Sequence, residues 1–244
     1  MSCHEEPAPE FKTPGPDYHS SISDLLYPVV EKFVSINGEG QKSGQLAAFI
    51  RMKGCNLTCS YCDTAWANES ACPCEQLSVQ DLLEWLISQQ VSNVTLTGGE
   101  PLLVPGIGNL IEAVGASGME VEIETNGSVD ISPFHNLAHR PAFTLDYKCP
   151  DSGMESSMLT TNYSLLCEKD TVKFVVSSLT DLNRAYEISS CYHLGRTCSV
   201  YLSAVFGKIG PEELADFMIS HHWNDARLQL QLHKYIWPAV SRGV

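Results

Sequence analysis

Basic residues are scarce. Lys and Arg number 15 against 29 Asp and Glu, a formal net charge of −14 over 244 residues. Phosphate backbones repel such a surface, which argues against a nucleic-acid partner. Long apolar runs are missing too: none approaches the roughly 18 residues that a membrane-spanning helix needs. The first residues, MSCHEEPAPEF, carry acids and prolines where a secretory leader has a basic start and an apolar core. A cytoplasmic chain with no membrane partner is therefore expected. No internal repeat is visible. With 43% hydrophobic and 18% charged residues, the composition otherwise suits a globular protein with one sizeable core.

Cysteine, by contrast, is abundant, ten in all. A reducing compartment disfavours a disulfide framework, and the chain is too long for a small stapled scaffold. Metal or redox chemistry is the better reading of any tight cluster. Cys55, Cys59 and Cys62 lie within eight residues, with Cys72 and Cys74 just after. Cys3, Cys149, Cys167, Cys191 and Cys198 are scattered and read as small hydrophobes.

Residues 1 to about 27, rich in Pro, Ser and acids, read as a flexible N-terminal arm, and 28–244 as one domain. VVEKFVSI and LAAFIRMKG read as strands around the glycine-rich loop NGEGQKSGQ. Ser78 is placed to cap a helix, with Asp81 three residues on, and Leu82, Leu83, Leu86 and Ile87 share one face of it. NVTLT is a strand, 106–117 a helix, and MEVEIET and AFTLDYK are strands. DTVKFVVS is a strand, LTDLNRAYEIS a helix, CSVYLSAV a strand, and PEELADFMISHH a helix opened by Pro211. RLQLQLH is expected as the closing strand. Alternating strands and helices imply a largely parallel sheet, with functional groups at the carboxyl ends of its strands.

The spacing C-x3-C-x2-C is too compressed for three ligands on one rigid helix face and suits a loop wrapped around an inorganic core. Thiolates favour zinc or iron–sulfur clusters. Structural zinc takes four protein ligands, usually as two separated pairs. Here no second pair exists unless Cys72 and Cys74 supply it. Three thiolates on a four-iron cluster leave one iron open to a substrate or cofactor. A zinc loop and an open cluster both remain on this chemistry alone.

The segment GCNLTCSYCDTAW, with Tyr61 before its last cysteine, resembles the cluster loop of the radical S-adenosylmethionine (SAM) superfamily. The resemblance implies a 4Fe-4S cluster on Cys55, Cys59 and Cys62, with SAM chelating the open iron and yielding a 5′-deoxyadenosyl radical on reduction. TGGEP, Thr97 to Pro101, resembles the second superfamily feature. Gly98 and Gly99 are expected to let a ligand approach the backbone, and Glu100 to meet the SAM amino group. ETNG, Glu124 to Gly127, resembles a further cofactor contact. The implied fold is α/β, a partial (β/α)6 TIM-like barrel, in agreement with the strand–helix alternation.

INGEG, Arg51, GCNLTCSYCDT, TGGEP and the late LQLHKYIW together resemble the 7-carboxy-7-deazaguanine synthase family, from about Val30 to the C-terminus. That family implies conversion of 6-carboxy-5,6,7,8-tetrahydropterin to 7-carboxy-7-deazaguanine with loss of ammonia, in queuosine precursor biosynthesis. It also implies a lyase acting as a homodimer, with SAM, Mg2+ and an external electron donor such as flavodoxin. Carried over by position, Ile36, Asn37, Gly38, Glu39, Arg51, Thr97 and His233 are expected at the pterin. Arg51 would grip its carboxylate with a bidentate guanidinium. Thr64 is expected on magnesium, with Asp63 beside it, and Gly99, Glu100, Glu124 and Asn126 at SAM.

The match has gaps. Asp146-Tyr147-Lys148 stands where many members have Ser-Pro-Lys, so Asp146 and Lys148 carry over as cofactor contacts. Ser203, in LSAVFG, stands where many have Gln-Pro and is a further cofactor candidate. Cys72-Pro73-Cys74 has no counterpart and is expected to hold no cofactor. Two rivals share part of the pattern: an activating enzyme that places a glycyl radical on a partner protein, and a non-catalytic zinc or iron-sensing module. The INGEG loop with Arg51 and His233 favours the small substrate.

Overall fold

A computed structural model of the chain describes residues 25–237, together with Phe11 and Gly243. The arm expected over residues 1–27 lies outside the described residues up to 24, Phe11 excepted. Its last two residues, Leu26 and Tyr27, already belong to the first strand.

The chain order is β1 (Leu26–Ile36), β2 (Leu46–Met52), β3 (Glu75–Ser78), α1 (Val79–Gln89), β4 (Asn93–Gly98), α2 (Ile107–Ala116), β5 (Glu120–Thr125) and α3 (Ser132–His135). It continues with β6 (Ala142–Tyr147), β7 (Thr171–Val176), α4 (Leu179–Cys191), α5 (Leu194–Thr197), β8 (Ser199–Ala204), α6 (Pro211–Ser220), β9 (Ala226–Leu228) and α7 (His233–Ile236). Among the described residues the nine strands form one sheet in the order β3-β1-β2-β4-β5-β6-β7-β8-β9. From β2 onward every pairing is parallel, while β1 is antiparallel to β2 and to β3. This is the expected partial barrel with an antiparallel margin.

The helices begin where the sequence signals them. Ser78 accepts the Asp81 N–H at 3.1 Å, and the Asp81 carboxylate accepts the Ser78 N–H at 2.9 Å, a reciprocal cap on α1. Pro211 opens α6, where its missing N–H removes no helical bond. Two expectations shift. The short polar strand β3 was not foreseen. RLQLQLH yields only two paired residues, Arg227 and Leu228, which join Ala226 in β9, and the chain then leaves the sheet as an irregular strap and the turn α7.

Strand alternation divides the sheet into two faces. Val94, Leu96, Ile123, Phe143, Leu145, Val172, Phe174, Val200 and Leu202 are buried in one cluster with Leu82, Leu86, Leu110, Ile111, Leu182 and Leu214 of the helices. Each such side chain contributes roughly 1.5–3 kcal/mol. The residues between them, Thr95, Thr97, Glu122, Glu124, Thr144, Asp146 and Lys173, point to the opposite, concave side. Among the described residues no helix is long and apolar enough to cross a membrane.

Candidate active site

The polar face meets three loops, and the cysteine loop is the most firmly anchored of them. Tyr61 Oη donates to the Val175 carbonyl at 3.1 Å, tying the loop to β7. Ser60 donates through N to the Ser152 carbonyl (3.0 Å) and through Oγ to the Asp151 carbonyl (2.7 Å). Asn56 Nδ2 donates to Ser128 Oγ at 2.8 Å, and Asn126 Nδ2 donates to Asn56 Oδ1 at 3.0 Å. Three separate segments thus hold the loop in one shape.

TGGEP completes the anchorage in a way the sequence did not suggest. Gly98 and Gly99 were expected to make room for a ligand. A Cβ on Gly98 would instead lie 2.2 Å from the Met52 carbonyl oxygen, and one on Gly99 2.0 Å from that of Gly54. Gly98 also has φ +143, which disfavours a side chain. The Gly99 and Glu100 N–H groups donate to the Met52 and Gly54 carbonyls at 3.1 and 2.8 Å. The glycines therefore let the end of β4 lie flat against the root of the cysteine loop.

Glu100 is fully buried and braces the next strand. Thr125 Oγ1 donates to both its oxygens (2.9 and 3.0 Å), the Asn126 N–H to Oε2 (2.6 Å) and the Leu102 N–H to Oε1 (3.1 Å). Burial raises its pKa to about 7, against the pull of those donors. Asn126, held in this way, donates to Cys55 Sγ at 3.4 Å, as does the Leu57 N–H. Such donors favour thiolate and tune a bound cluster.

Cys55, Cys59 and Cys62 are all half-buried and free of disulfides. Burial pushes the Cys59 thiol up, the Lys148 ammonium pulls it down, and Cys62 and Cys55 push it up again. The three sulfurs thus share one field. Among the described residues, however, no trio of Cys, His, Asp or Glu converges closely enough to enclose a single ion. Three thiols on one anchored loop are the donor chemistry that an iron–sulfur cluster takes. Cys72 Sγ donates to the Pro73 carbonyl and Cys74 Sγ accepts from Gln76.

The INGEG loop closes the opposite wall. Asn37 is buried, and its Oδ1 accepts from Thr95 Oγ1 at 3.1 Å, while its Nδ2 has no partner among the described residues. Ile36 ends β1 opposite Leu46. The strap explains the lost strand: Gln229 accepts the Gly40 N–H (2.8 Å) and donates to the Gly40 carbonyl (3.0 Å). Gln231 Nε2 donates to Glu39 Oε1 at 2.9 Å, and the Leu232 N–H to the Gly38 carbonyl at 3.3 Å. His233 lies against Gly38, where a Cβ would come within 2.5 Å of its Nδ1. Burial lowers the His233 pKa, against the charge of Glu39; Asp63 of the cysteine loop also reaches it. The loop and the strap thus meet.

Between them stand the charged residues of the strands. Arg51 lies beside Thr97 in register, and its Nε donates to Glu31 Oε1 at 2.7 Å. Burial raises the Glu124 pKa, with Lys173 and then Thr97 opposing. Lys148 Nζ donates to Asp146 Oδ2 at 2.8 Å. Thr64 Oγ1 is 3.6 Å from Cys62 Sγ. Arg51, Thr97, Glu124, Asp146 and Lys148 thus share the polar side of the sheet, whereas Gly99 and Glu100 are packed against backbone beneath it. Ser203 is fully buried, and its hydroxyl donates to the Gln229 carbonyl at 3.0 Å, so it fixes the exit of the strap and is no cofactor contact. Lys173, Gln229 and Gln231 are the residues that sequence reasoning missed.

Comparison with known proteins agrees with this geometry. The Radical SAM superfamily profile matches residues 49–146. A 7-carboxy-7-deazaguanine synthase of Clostridium acetobutylicum is 52% identical over 90% of this chain and 100% of its own length. One of Chlorobaculum tepidum is 33% identical over 88% of this chain and 96% of its own. The crystal structure of QueE from Escherichia coli superposes with a TM-score of 0.69 at 22% identity, covering 89% of this chain and 99% of that one, which supports the fold. By the extent of its identity to these relatives, the chain belongs to the 7-carboxy-7-deazaguanine synthase family of radical SAM enzymes.

Proposed function

We propose that this chain is a carbon–nitrogen lyase that converts 6-carboxy-5,6,7,8-tetrahydropterin to 7-carboxy-7-deazaguanine with loss of ammonia. The observation that carries the reading is the INGEG loop, with His233 against Gly38, Asn37 on Thr95 and Glu39 on Lys173, lying over the polar side of the sheet to which the three-thiol loop is also anchored. When bound, a 4Fe-4S cluster and SAM supply the one-electron chemistry that removes a hydrogen atom from the pterin. Cys55, Cys59 and Cys62 hold the cluster, with Asn126 and the Leu57 N–H donating to Cys55.

The chain's own residues bind, orient and exclude water. Arg51 keeps its Nε on Glu31 and offers the rest of its fork to the substrate carboxylate. Glu39 accepts from the N–H edge of the pterin, with Ile36, Asn37, Gly38, Thr97 and His233 enclosing the ring. Gly99, Glu100, Glu124, Asp146 and Lys148 form the SAM side, Glu100 from beneath through the strand end that it braces. Thr64 supplies a hard oxygen for Mg2+, whose remaining positions fall to substrate and water. The same reading takes the protein as a cytoplasmic homodimer of one domain from 28 onward, served by an external electron donor such as flavodoxin.

A glycyl-radical activase would need an open groove for a protein segment, where here the strap closes over the loop. The deciding experiment is anaerobic incubation of the reconstituted protein with the carboxypterin, SAM, Mg2+ and reductant, read by mass spectrometry. Carboxydeazaguanine and ammonia are expected. Deoxyadenosine formed without any deazapurine would overturn the assignment.

A further inference from the structure

Lys173 has no role in the reading above, yet it is the buried cation at the centre of the basin. It sits in the middle of β7, only 6% exposed, between the apolar neighbours Val172 and Phe174. A lysine in such a place loses its charge unless acids hold it. Here its Nζ donates to Glu39 Oε2 at 2.6 Å and lies 3.1 Å from Asp146 Oδ1. With Glu124 adding to those two, the ammonium is held well above the ordinary lysine range.

The hydrogen-bond inventory then becomes informative. An ammonium has three N–H donors and no acceptor. One is donated to Glu39, the Asp146 carboxylate stands 3.1 Å away as an ion-pair partner, and at least one is left. Glu39 is fixed from its other side by Gln231 at 2.9 Å, so carboxylate and ammonium stand side by side with a set order, acceptor then donor. The 2-amino-4-oxo edge of a pterin has the reciprocal order: two N–H donors, at the 2-amino group and N3, then the O4 acceptor.

We infer that Lys173 is a specificity-determining residue that reads O4 of the substrate ring while Glu39 accepts from the two N–H groups beside it. This deepens the proposed pterin function and rests on it. The contact to O4 is charge-assisted and shielded from water, which makes its loss worth about 10- to 100-fold in affinity. A bland alternative has Lys173 only neutralising buried acids. It would then affect folding or all ligands alike, whatever atom occupies position 4.

The test compares 6-carboxytetrahydropterin with its 4-thioxo analogue, which keeps both N–H donors and offers sulfur, a weaker acceptor, in place of O4. Dissociation constants are measured on the cluster-loaded enzyme with SAM and Mg2+ and without reductant. Wild type is expected to prefer the 4-oxo compound by about 10-fold or more. Lys173→Met should weaken the 4-oxo compound about 10- to 100-fold and the 4-thioxo compound much less, so that the preference collapses. Lys173→Gln is measured in parallel in case the methionine variant does not fold. Its amide can present either end to position 4, so it too should lose the preference. Equal binding of the two compounds by wild type, or a preference that survives in the folded variant, overturns the inference. Wild type that binds neither compound and forms no deazaguanine would instead bring down the functional reading beneath it.

Discussion

The carboxylate of Glu122 offers a test of the electrostatics inside the barrel. Its side chain is 94% buried on the concave face; Oε1 accepts from Thr144 Oγ1 at 2.5 Å, and Oε2 has no partner among the described residues. Burial raises its pKa from 4.5 to about 7, and the charge of Glu124 adds to this, while the Thr144 hydroxyl, Lys42 and Lys173 oppose it. Between those two values the folded protein keeps a proton that the unfolded chain releases. Stability from this group is therefore fully present below about pH 4.5 and is lost as pH rises to 7 and beyond. At 1.36 kcal/mol per pH unit the loss is about 3 kcal/mol. Glu122→Gln stays neutral throughout, so the variant should match wild type near pH 4.5 and exceed it by about 3 kcal/mol at pH 8. For a chain of this length that is about 6–12 °C in Tm. Anaerobic melts of the loaded enzyme between pH 5 and 8 read the difference. Glu100, with a similar pKa, contributes equally to both proteins and cancels. Parallel profiles for variant and wild type would refute the reasoning.

Three further substitutions test close packing and the carboxylate grip. Gly99→Ala drives a methyl into the Gly54 carbonyl, a backbone neighbour that cannot rotate away, and should cost about 1–3 kcal/mol with a matching fall in iron loading. Gly108→Ala in α2, whose Cβ would meet Phe134 at an ordinary 3.8 Å, should stabilise by about 0.5–1 kcal/mol, and melts of the two variants side by side check the contrast. Arg51→Lys cannot hold Glu31 and a substrate carboxylate with one point charge. It should raise KM for the carboxypterin about 10- to 100-fold with a smaller change in kcat, as read by anaerobic steady-state kinetics.

Much of this arrangement was legible in the residues. The caps at Ser78 and Pro211, the strand–helix alternation and the three-cysteine loop each depend on local chemistry, and local chemistry is what a sequence displays. The rest depends on partners far along the chain. The stretch LQLQL alternates like a strand, yet Gln229 gives both ends of its amide to Gly40, 189 residues away. Ser203 lines up with a cofactor position but donates to the Gln229 carbonyl, a bond that exists only because the strap leaves the sheet there. The polar strand β3 forms because β1 offers it a free edge.

Lys173 was hidden for a different reason, and the reason is instructive. Strands of a parallel sheet covered on both faces read as continuous apolar runs. Here Val94-Thr95-Leu96-Thr97, Val121-Glu122-Ile123-Glu124, Phe143-Thr144-Leu145-Asp146 and Val172-Lys173-Phe174 alternate strictly. Four neighbouring parallel strands with one polar face mean that the concave side is a built polar site and not a second core. That face brings Glu39, Glu122, Glu124 and Asp146 together with Lys148 and Lys173, four acids against two ammoniums. Burial raises the pKa of Glu122 and Glu124, with Lys173 opposing in both. On the proposed function a cationic sulfonium enters this same basin. It would supply the positive charge that the acids lack, so the site is complete electrostatically only when its cofactor is in place.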